Sequence, residues 1–380
     1  MSRTLTPEER AHATEAPVFE EMILNMGPQH PSTHGVLRLV LRVSGEVIEE
    51  CKFHIGYLHR CHEKIAEEHG YLGYLPLADR LDYVCAGPNQ WAACLAMEKL
   101  AGIEVPERAE YLRVIAAELN RIASHLLFIA TFGNDLAAVS VFLYGMRERE
   151  MVIDLLEALS GQRLTYNYYR VGGVGWDMPE GFAERCREVL DIIESRLPHY
   201  NDLFTNNAVM RARTEGVGVV PPDRAIAFGM SGPTLRASGV PYDVRRSDPY
   251  GIYDRFEFEV VVGERGDTFD RFWMRVREIQ ESAKIIRQAL DQIPPGEIRT
   301  KLKGRFRPPP GRAYGHVEGA RGDVGYYIVS DGTDKPYRLK VRSPCFSNLA
   351  GMEEMFRGWK IADVVAILGS IDIVLGCVDR

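Results

Sequence analysis

Apolar and polar residues change their spacing several times along this chain, and each change predicts a different element. In "VLRLVLRVSGEVIEECKFHIG", Leu37, Leu39, Leu41 and Val43 share one face while Arg38 and Arg42 fall on the other. That period of two, broken at Ser44-Gly45, predicts strand, turn and strand. From about residue 59 to 210 the spacing is helical. "AEYLRVIAAELNRIASHLLFIA" places apolar residues at 112, 115, 116, 119, 122, 123, 126, 127 and 130, one wide stripe. Pro106 and Glu107 mark its start and Gly133 its expected end. "MVIDLLEALSGQR" is expected to stop at Gly161, and Pro179 to open a helix carrying Cys186, Leu190, Ile193 and Leu197. The charged residues of this middle region, as in "MRERE" (146–150), read as a solvated face or as intersubunit contacts.

After "GVGVVPP" (216–222) the pattern is mixed, with Gly-rich turns at 229–239 and a long helix at about 268–290. Pro308, Pro309 and Pro310 form a linker. Beyond it "GYYIVSDG" and "KPYRLKVRSP" read as a strand pair, with Tyr337, Leu339 and Val341 opposite Arg338, Lys340 and Arg342. A last helix is expected near 360–369. The predicted fold class is α-rich α+β: a polar tail (1–18), an N-terminal strand region (19–58), a helical bundle (59–210), a mixed region (211–307) and C-terminal strands with a helix (308–380).

Composition narrows the function classes. Hydrophobic residues make up 46% and charged residues 26% of the 380, and the formal charge is −7, which gives no reason to expect nucleic acid. Seven cysteines stand at 51, 61, 85, 94, 186, 345 and 377, with no CxxC pair. No zinc ribbon or self-contained iron–sulfur cluster is encoded, and reduced thiols are expected. No apolar run approaches the ~20 residues that span a bilayer, so any membrane association is expected through docking to another protein of a complex. No GxGxxG or P-loop offers a nucleotide cradle.

One loop raises a chemical question. "NMGPQHPSTHG" (25–35) holds His30 and His34 four apart among two prolines and two glycines. Pro28 and Pro31 build a stiff turn. Either the two imidazoles satisfy backbone groups around it, or one is a proton donor held toward a ligand; spacing leaves both open.

Longer words go further. "MILNMGPQHPSTHGVLRLVL", "GYLHR", "RVIAAELNRIASHLLF", "SGPTLRASGVPYDVR", "VREIQESAKIIRQAL", "RGDVGYYIVSDG", "PYRLKVRSP" and "LGSIDIVLGCVDR" are collinear from about residue 22 to the C-terminus. They resemble the 49-kilodalton subunit family of respiratory complex I, the proton-pumping NADH–quinone oxidoreductase. That family is itself similar to the large subunit of nickel–iron (NiFe) hydrogenases, which implies a hydrogenase-like fold around a central bundle.

The resemblance implies specific roles. Hydrogenases hold nickel with two cysteine pairs; here Asp82 and Cys85 match one pair, and Val374 and Cys377 the other, so two of four thiolates are gone. A soft metal centre needs them all, and a working nickel site is rejected. Complex I members use the vacated cavity for a quinone headgroup. His34 and Tyr83 match the residues at the two ends of the ring, and Asp135 in "FGND" matches the carboxylate paired with that histidine. A phenol and an imidazole can supply the two protons that quinone reduction consumes. Arg60 and Arg80 match arginines beside a 4Fe–4S cluster carried by the partner small subunit, where a cation favours the reduced form; without the resemblance, Arg60 would read as an ordinary salt-bridge partner of Glu63. The chain alone binds no cofactor. Its implied partners are that cluster-bearing small subunit, the 30-kilodalton subunit and the quinone-tunnel membrane subunit of the complex, on the cytoplasmic face of a bacterial membrane.

Four departures qualify the match. Thr165 in "GQRLTYN" stands where many relatives have a histidine, and Cys61 where a glycine is usual. Cys377 stands where an acidic residue is common. The segment after the Pro triplet is shorter than in typical respiratory members and is similar to energy-converting membrane hydrogenases. Two alternatives stay open: a ferredoxin-dependent or hydrogenase-related complex, and a non-catalytic scaffold with a relic cavity.

Overall fold

The computed structural model describes residues 21–302 and 304–380, so the tail expected over 1–18 lies outside the described residues. It mixes helices with three small antiparallel sheets. Strands β1 (Glu21–Met26), β2 (Arg38–Ser44) and β3 (Val47–His54) form the N-terminal sheet in that order. Leu37, Leu39, Leu41 and Val43 are fully buried, as their alternation predicts. The histidine loop joins β1 to β2, so a strand precedes it as well as follows it.

Six long helices follow, α1 (His62–Ala78), α2 (Ala86–Ala101), α3 (Glu107–Asp135), α4 (Val139–Ser160), α5 (Phe182–Tyr200) and α6 (Thr268–Gln292). α3 starts where Pro106 and Glu107 predict, with Glu107 and Glu110 in a first turn whose exposed N–H groups favour anions. Gly133 does not end it. The helix runs to Asp135, and Gly133 instead admits α4: a Cβ there would lie 2.7 Å from Val141 Cγ1. Gly161 closes α4 in the left-handed conformation, φ 76°. The helix expected from Pro179 begins at Phe182.

The solvated-face reading of the middle region fails for its largest charges. Arg113, Glu118, Arg121 and His125 on α3 are all fully buried. α3 is packed by α4 and α6, so its polar side chains meet polar groups from elsewhere rather than water. Glu118 accepts from Arg121 (3.1 Å), Arg245 (3.2 Å), the Tyr253 hydroxyl (2.6 Å) and Ser282 (2.7 Å). His125 meets Glu278 at 2.8 Å, and Arg236 bridges Glu278 (2.6 Å) and Glu318 (2.8 Å). Buried charges survive only when paired in this way. Contrary to the expectation that no segment approaches a bilayer span, α3 has that length and composition with those charges interspersed, and 89% of its most apolar stretch is buried inside the fold.

A small hairpin of β4 (Tyr169–Arg170) and β5 (Gly173–Val174) lies between α4 and α5. The last sheet has three strands, β6 (Gly311–Gly319), β7 (Gly322–Ser330) and β8 (Arg338–Arg342). The predicted pair is β7 with β8; β6 was not foreseen, because its "GRAYGHVEG" carries too many glycines for a strand signal. Leu339 and Val341 are buried as expected, whereas Tyr337 precedes the strand and is 72% exposed. The last predicted helix is a short turn, Ile361–Asp363, running into Val364–Ser370.

The described residues share two apolar clusters. The larger is built from the long helices and the β6–β8 sheet. The second joins Leu37, Leu39, Leu41 and Val43 to Ile367, Leu368, Ile371, Leu375 and Val378, so the N-terminal sheet packs on the chain's C-terminal segment. That packing positions the candidate site.

Candidate functional site

The loop of residues 27–37 is braced from within. Pro31 opens a single turn, Pro31–Thr33, whose start is capped by His30: its Nδ1 accepts from Ser32 N at 3.2 Å. The Thr33 hydroxyl lies 2.8 Å from the His30 carbonyl and 2.9 Å from that of Gly35. His34 then adopts left-handed backbone, φ 53°, a region where histidine is among the enriched residues. Its Nε2 stands 2.8 Å from Asp135 Oδ2, with side chains 18% and 16% exposed. The contact is an ion pair in distance but is not aligned as a hydrogen bond, and both atoms are buried without another polar partner. Asp135 is the last residue of a 29-residue helix. The helix dipole disfavours an anion there, so the imidazole is its natural compensation.

Tyr83 stands on the turn between α1 and α2. Asp82 shapes that turn: its Oδ1 accepts from the N–H groups of Val84 (3.2 Å) and Cys85 (3.0 Å). Both Asp82 oxygens also accept from Arg321, at 3.2 and 3.0 Å. Burial, then the neighbouring Asp82 charge, raises the Tyr83 phenol above its ordinary value. Its hydroxyl makes no hydrogen bond among the described residues, and the side chain is half-buried. Gly376 packs against it; a Cβ there would lie 3.1 Å from the Tyr83 ring and 3.0 Å from the Arg60 guanidinium.

The positions matched to metal ligands do not form a donor set. Cys85 is buried with its thiol pushed up to about 12, chiefly by desolvation. Cys377 lies 3.0 Å from the Ser343 hydroxyl and beside the Cys345 thiol, with no hydrogen bond to Cys85 among the described residues. Val374 is buried among apolar neighbours. No group of three or more His, Cys, Asp or Glu side chains suited to a metal ion occurs among the described residues. A guanidinium, Arg321, lies among Asp82, Asp372, Cys85 and Cys345.

Arg60 and Arg80 come together. Arg60 Nη2 donates to the Arg80 carbonyl at 2.8 Å, and Arg80 Nη1 donates to Asp79 at 3.1 Å and to the Pro76 carbonyl. Burial pushes the Asp79 carboxyl up to about 6. Glu63, the alternative partner for Arg60, instead pairs with Arg338 (2.6 Å) and Lys340 (2.9 Å). Thr165 is half-buried, and Cys61 is exposed with Sγ 3.7 Å from His59 Nε2.

The C-terminal segment connects the two halves. Gly369 packs on His34, a Cβ there falling 3.4 Å from Nε2; Gly35 packs on Leu375; Gly376 packs on Tyr83. Among the described residues, a cavity of about 610 Å³ lies between Leu75, Arg170 and Arg299, and neither His34 nor Tyr83 lines it. Sequence reasoning missed Arg321 as a member of this region. The signal was present in "EGARGD", an arginine between glycines at a strand turn, which is uninformative until its partners are known.

Residues 135–305 and 300–380 match the family described as respiratory-chain NADH dehydrogenase, 49 Kd subunit. The chain is 50% identical over 360 residues to the NADH-quinone oxidoreductase D subunit of Desulforamulus reducens, a match covering 95% of this chain and 98% of that one. It is 52% identical over 362 residues to the corresponding protein of Dehalococcoides mccartyi, which carries the same description, covering 95% and 99%. With that of Geobacillus kaustophilus, again so described, it shares 51% over 361 residues, covering 95% and 98%.

Proposed function

This chain belongs to the 49-kilodalton subunit family of respiratory-chain NADH dehydrogenase, and on that premise we propose that it carries the proton donors of a quinone headgroup site. As a subunit of NADH–quinone oxidoreductase it acts within complex I, not alone.

In this reading His34 protonates one carbonyl oxygen of the quinone and Tyr83 the other. Two electrons and two protons convert quinone to hydroquinone, and a 4Fe–4S cluster in a partner small subunit would supply the electrons. Arg60 and Arg80 would face that cluster; the buried Arg60 Nε has no hydrogen-bond partner among the described residues. The observation that carries the reading is the His34–Asp135 pair, whose imidazole is held at 2.8 Å with no other polar contact for its Nε2. Tyr83, with its unengaged hydroxyl, flanks the same C-terminal segment. In this reading the site is completed by neighbours: the cluster-bearing small subunit, the 30-kilodalton subunit and the quinone-tunnel membrane subunit, at the cytoplasmic face of the membrane. The hydrogenase-like fold belongs to the same proposal, with Arg321 between the Asp82 and Asp372 carboxylates.

Coupling follows from the helix end. When His34 gives up its proton, Asp135 is left an anion at the negative end of α3, a costly state in a poorly hydrated site. Its relief by movement of the loop would transmit the redox event outward.

The test uses the assembled complex. His34→Ala and Tyr83→Phe should each lower quinone reduction at least about a hundredfold, the low end for a lost general acid, with assembly intact. Activity unchanged by both substitutions would remove the proposal and favour a scaffold.

A further inference from the structure

Arg321 stands at the tip of the β6–β7 hairpin, where Gly319 pairs with Gly322 and leaves Ala320 and Arg321 as a two-residue turn. The tip is pressed onto the segment at Ser231 and Gly232. A Cβ on Gly322 would lie 2.4 Å from Ser231 Oγ, and one on Gly232 would lie 2.5 Å from Gly322 Cα, an approach only glycine permits. Asn348 secures the contact, its Nδ2 donating to the Arg321 carbonyl at 3.2 Å and its Oδ1 accepting from Ser231 N at 3.1 Å. The backbone of this arginine is therefore placed from both sides.

Its side chain is 2% exposed, and all three guanidinium nitrogens are engaged. Nη1 donates to the Asp82 carboxylate (3.2 and 3.0 Å) and to Ser124 Oγ (3.2 Å). Nε donates to the Asp372 carbonyl at 2.6 Å and Nη2 to Asp372 Oδ1 at 3.0 Å. Asp82 precedes Tyr83 and shapes its turn. Asp372, itself in left-handed backbone with φ 55°, lies between Gly369, which packs on His34, and Gly376, which packs on the Tyr83 ring. One rigid fork thus ties the segment bearing the phenol to the segment that contacts both donors. A planar guanidinium can do this; a single ammonium cannot span both carboxylates with the same geometry.

We propose that Arg321 is a positioning residue for quinone reduction, crosslinking Asp82 to Asp372 so that Tyr83 and His34 are held at the spacing the ring requires. The proposal rests on the quinone-site reading and deepens it. Arg321 touches no substrate; it acts through the two aspartates. A donor displaced by about 1 Å costs on the order of a hundredfold in rate, so the effect is large although the residue is remote from the ring.

The experiment compares Arg321→Gln, Arg321→Lys and Ser124→Ala in the assembled membrane complex, with a short-chain quinone as substrate. Arg321→Gln should lower kcat/KM by about ten- to a hundredfold, mostly in kcat, with the complex assembled and the partner cluster's EPR signal unchanged. Arg321→Lys keeps the charge but recovers only part of that loss, and Ser124→Ala, which removes one hydrogen bond to the guanidinium and leaves both carboxylates in place, lowers kcat/KM by less than Arg321→Gln does. Should the glutamine variant not assemble, the lysine variant carries the same test. Wild-type kcat and KM in Arg321→Lys would mean that charge alone matters and would overturn the proposal. Tyr83→Phe and His34→Ala run alongside: loss of activity in these with none in the Arg321 variants removes only the crosslink, while no loss in any removes the site itself.

Discussion

Glu118 lies at the centre of the buried charges on α3, and replacing it by glutamine has a calculable consequence. Burial alone would raise its carboxyl, but Arg121 and Arg245, with hydrogen bonds from Tyr253 and Ser282, outweigh burial and bring it down to about 2 from 4.5. A depression of that size means that the charged form is favoured over the neutral one in the fold by about 3 kcal/mol, at ~1.4 kcal/mol per unit. Glu118→Gln imitates the neutral form with little change of shape. It should therefore cost about 3 kcal/mol, in line with the roughly 3–5 kcal/mol lost when one partner of a buried ion pair is removed. With an unfolding entropy of about 2 cal/mol/K per residue over 380 residues, that is a fall in melting temperature of about 4 °C. The acid dependence gives a second check. Because the folded carboxyl sits lower than the unfolded one, its stabilisation is complete above about 4.5 and lost as pH falls toward about 2. The gap between wild type and variant should shrink to about 2 kcal/mol at pH ~3.5. Thermal melting at pH 7 and in acid measures both. A variant that melts within about 1 °C of wild type at neutral pH, or a gap that widens in acid, would refute the reasoning.

Asp135→Asn removes the anion that His34 faces at 2.8 Å, so turnover or proton pumping of the complex should slow; wild-type coupling, measured as protons per electron pair, would count against the helix-end argument. Gly133→Val puts branched bulk where a Cβ already meets Val141 at 2.7 Å, and should destabilise the α3–α4 contact by about 1–3 kcal/mol in urea unfolding. Gly369→Ala places a methyl group 2.9 Å from the Phe132 ring and 3.4 Å from His34 Nε2, so it should impair quinone reduction while leaving the Tyr83 turn intact; equal activity would show that the loop has room to yield.

The strongly patterned elements were legible in the chain. The alternating leucines of β2 and the apolar stripe of α3 each satisfy one local period, and local periods survive whatever packs against them. Elements without a period were not legible. β6 is a strand because β7 pairs along its whole length, and Gly133 lies within a helix because α4 crosses there. His34, Tyr83, Asp135, Arg60 and Arg80 were named through resemblance to known words, not through spacing. The structure pairs His34 with Asp135 and Arg60 with Arg80, and sets Tyr83 against the C-terminal segment that also touches His34.

By itself the sequence determined the family, the long helices and the identity of the candidate donors, since periodicity and motif words are written in consecutive residues. Tertiary structure alone decided where the charges of α3 go and which groups meet Asp82 and Asp372. Partners such as Arg321 and Asp82 are 239 residues apart, and a buried charge is tolerable only beside a counter-charge that no local pattern announces.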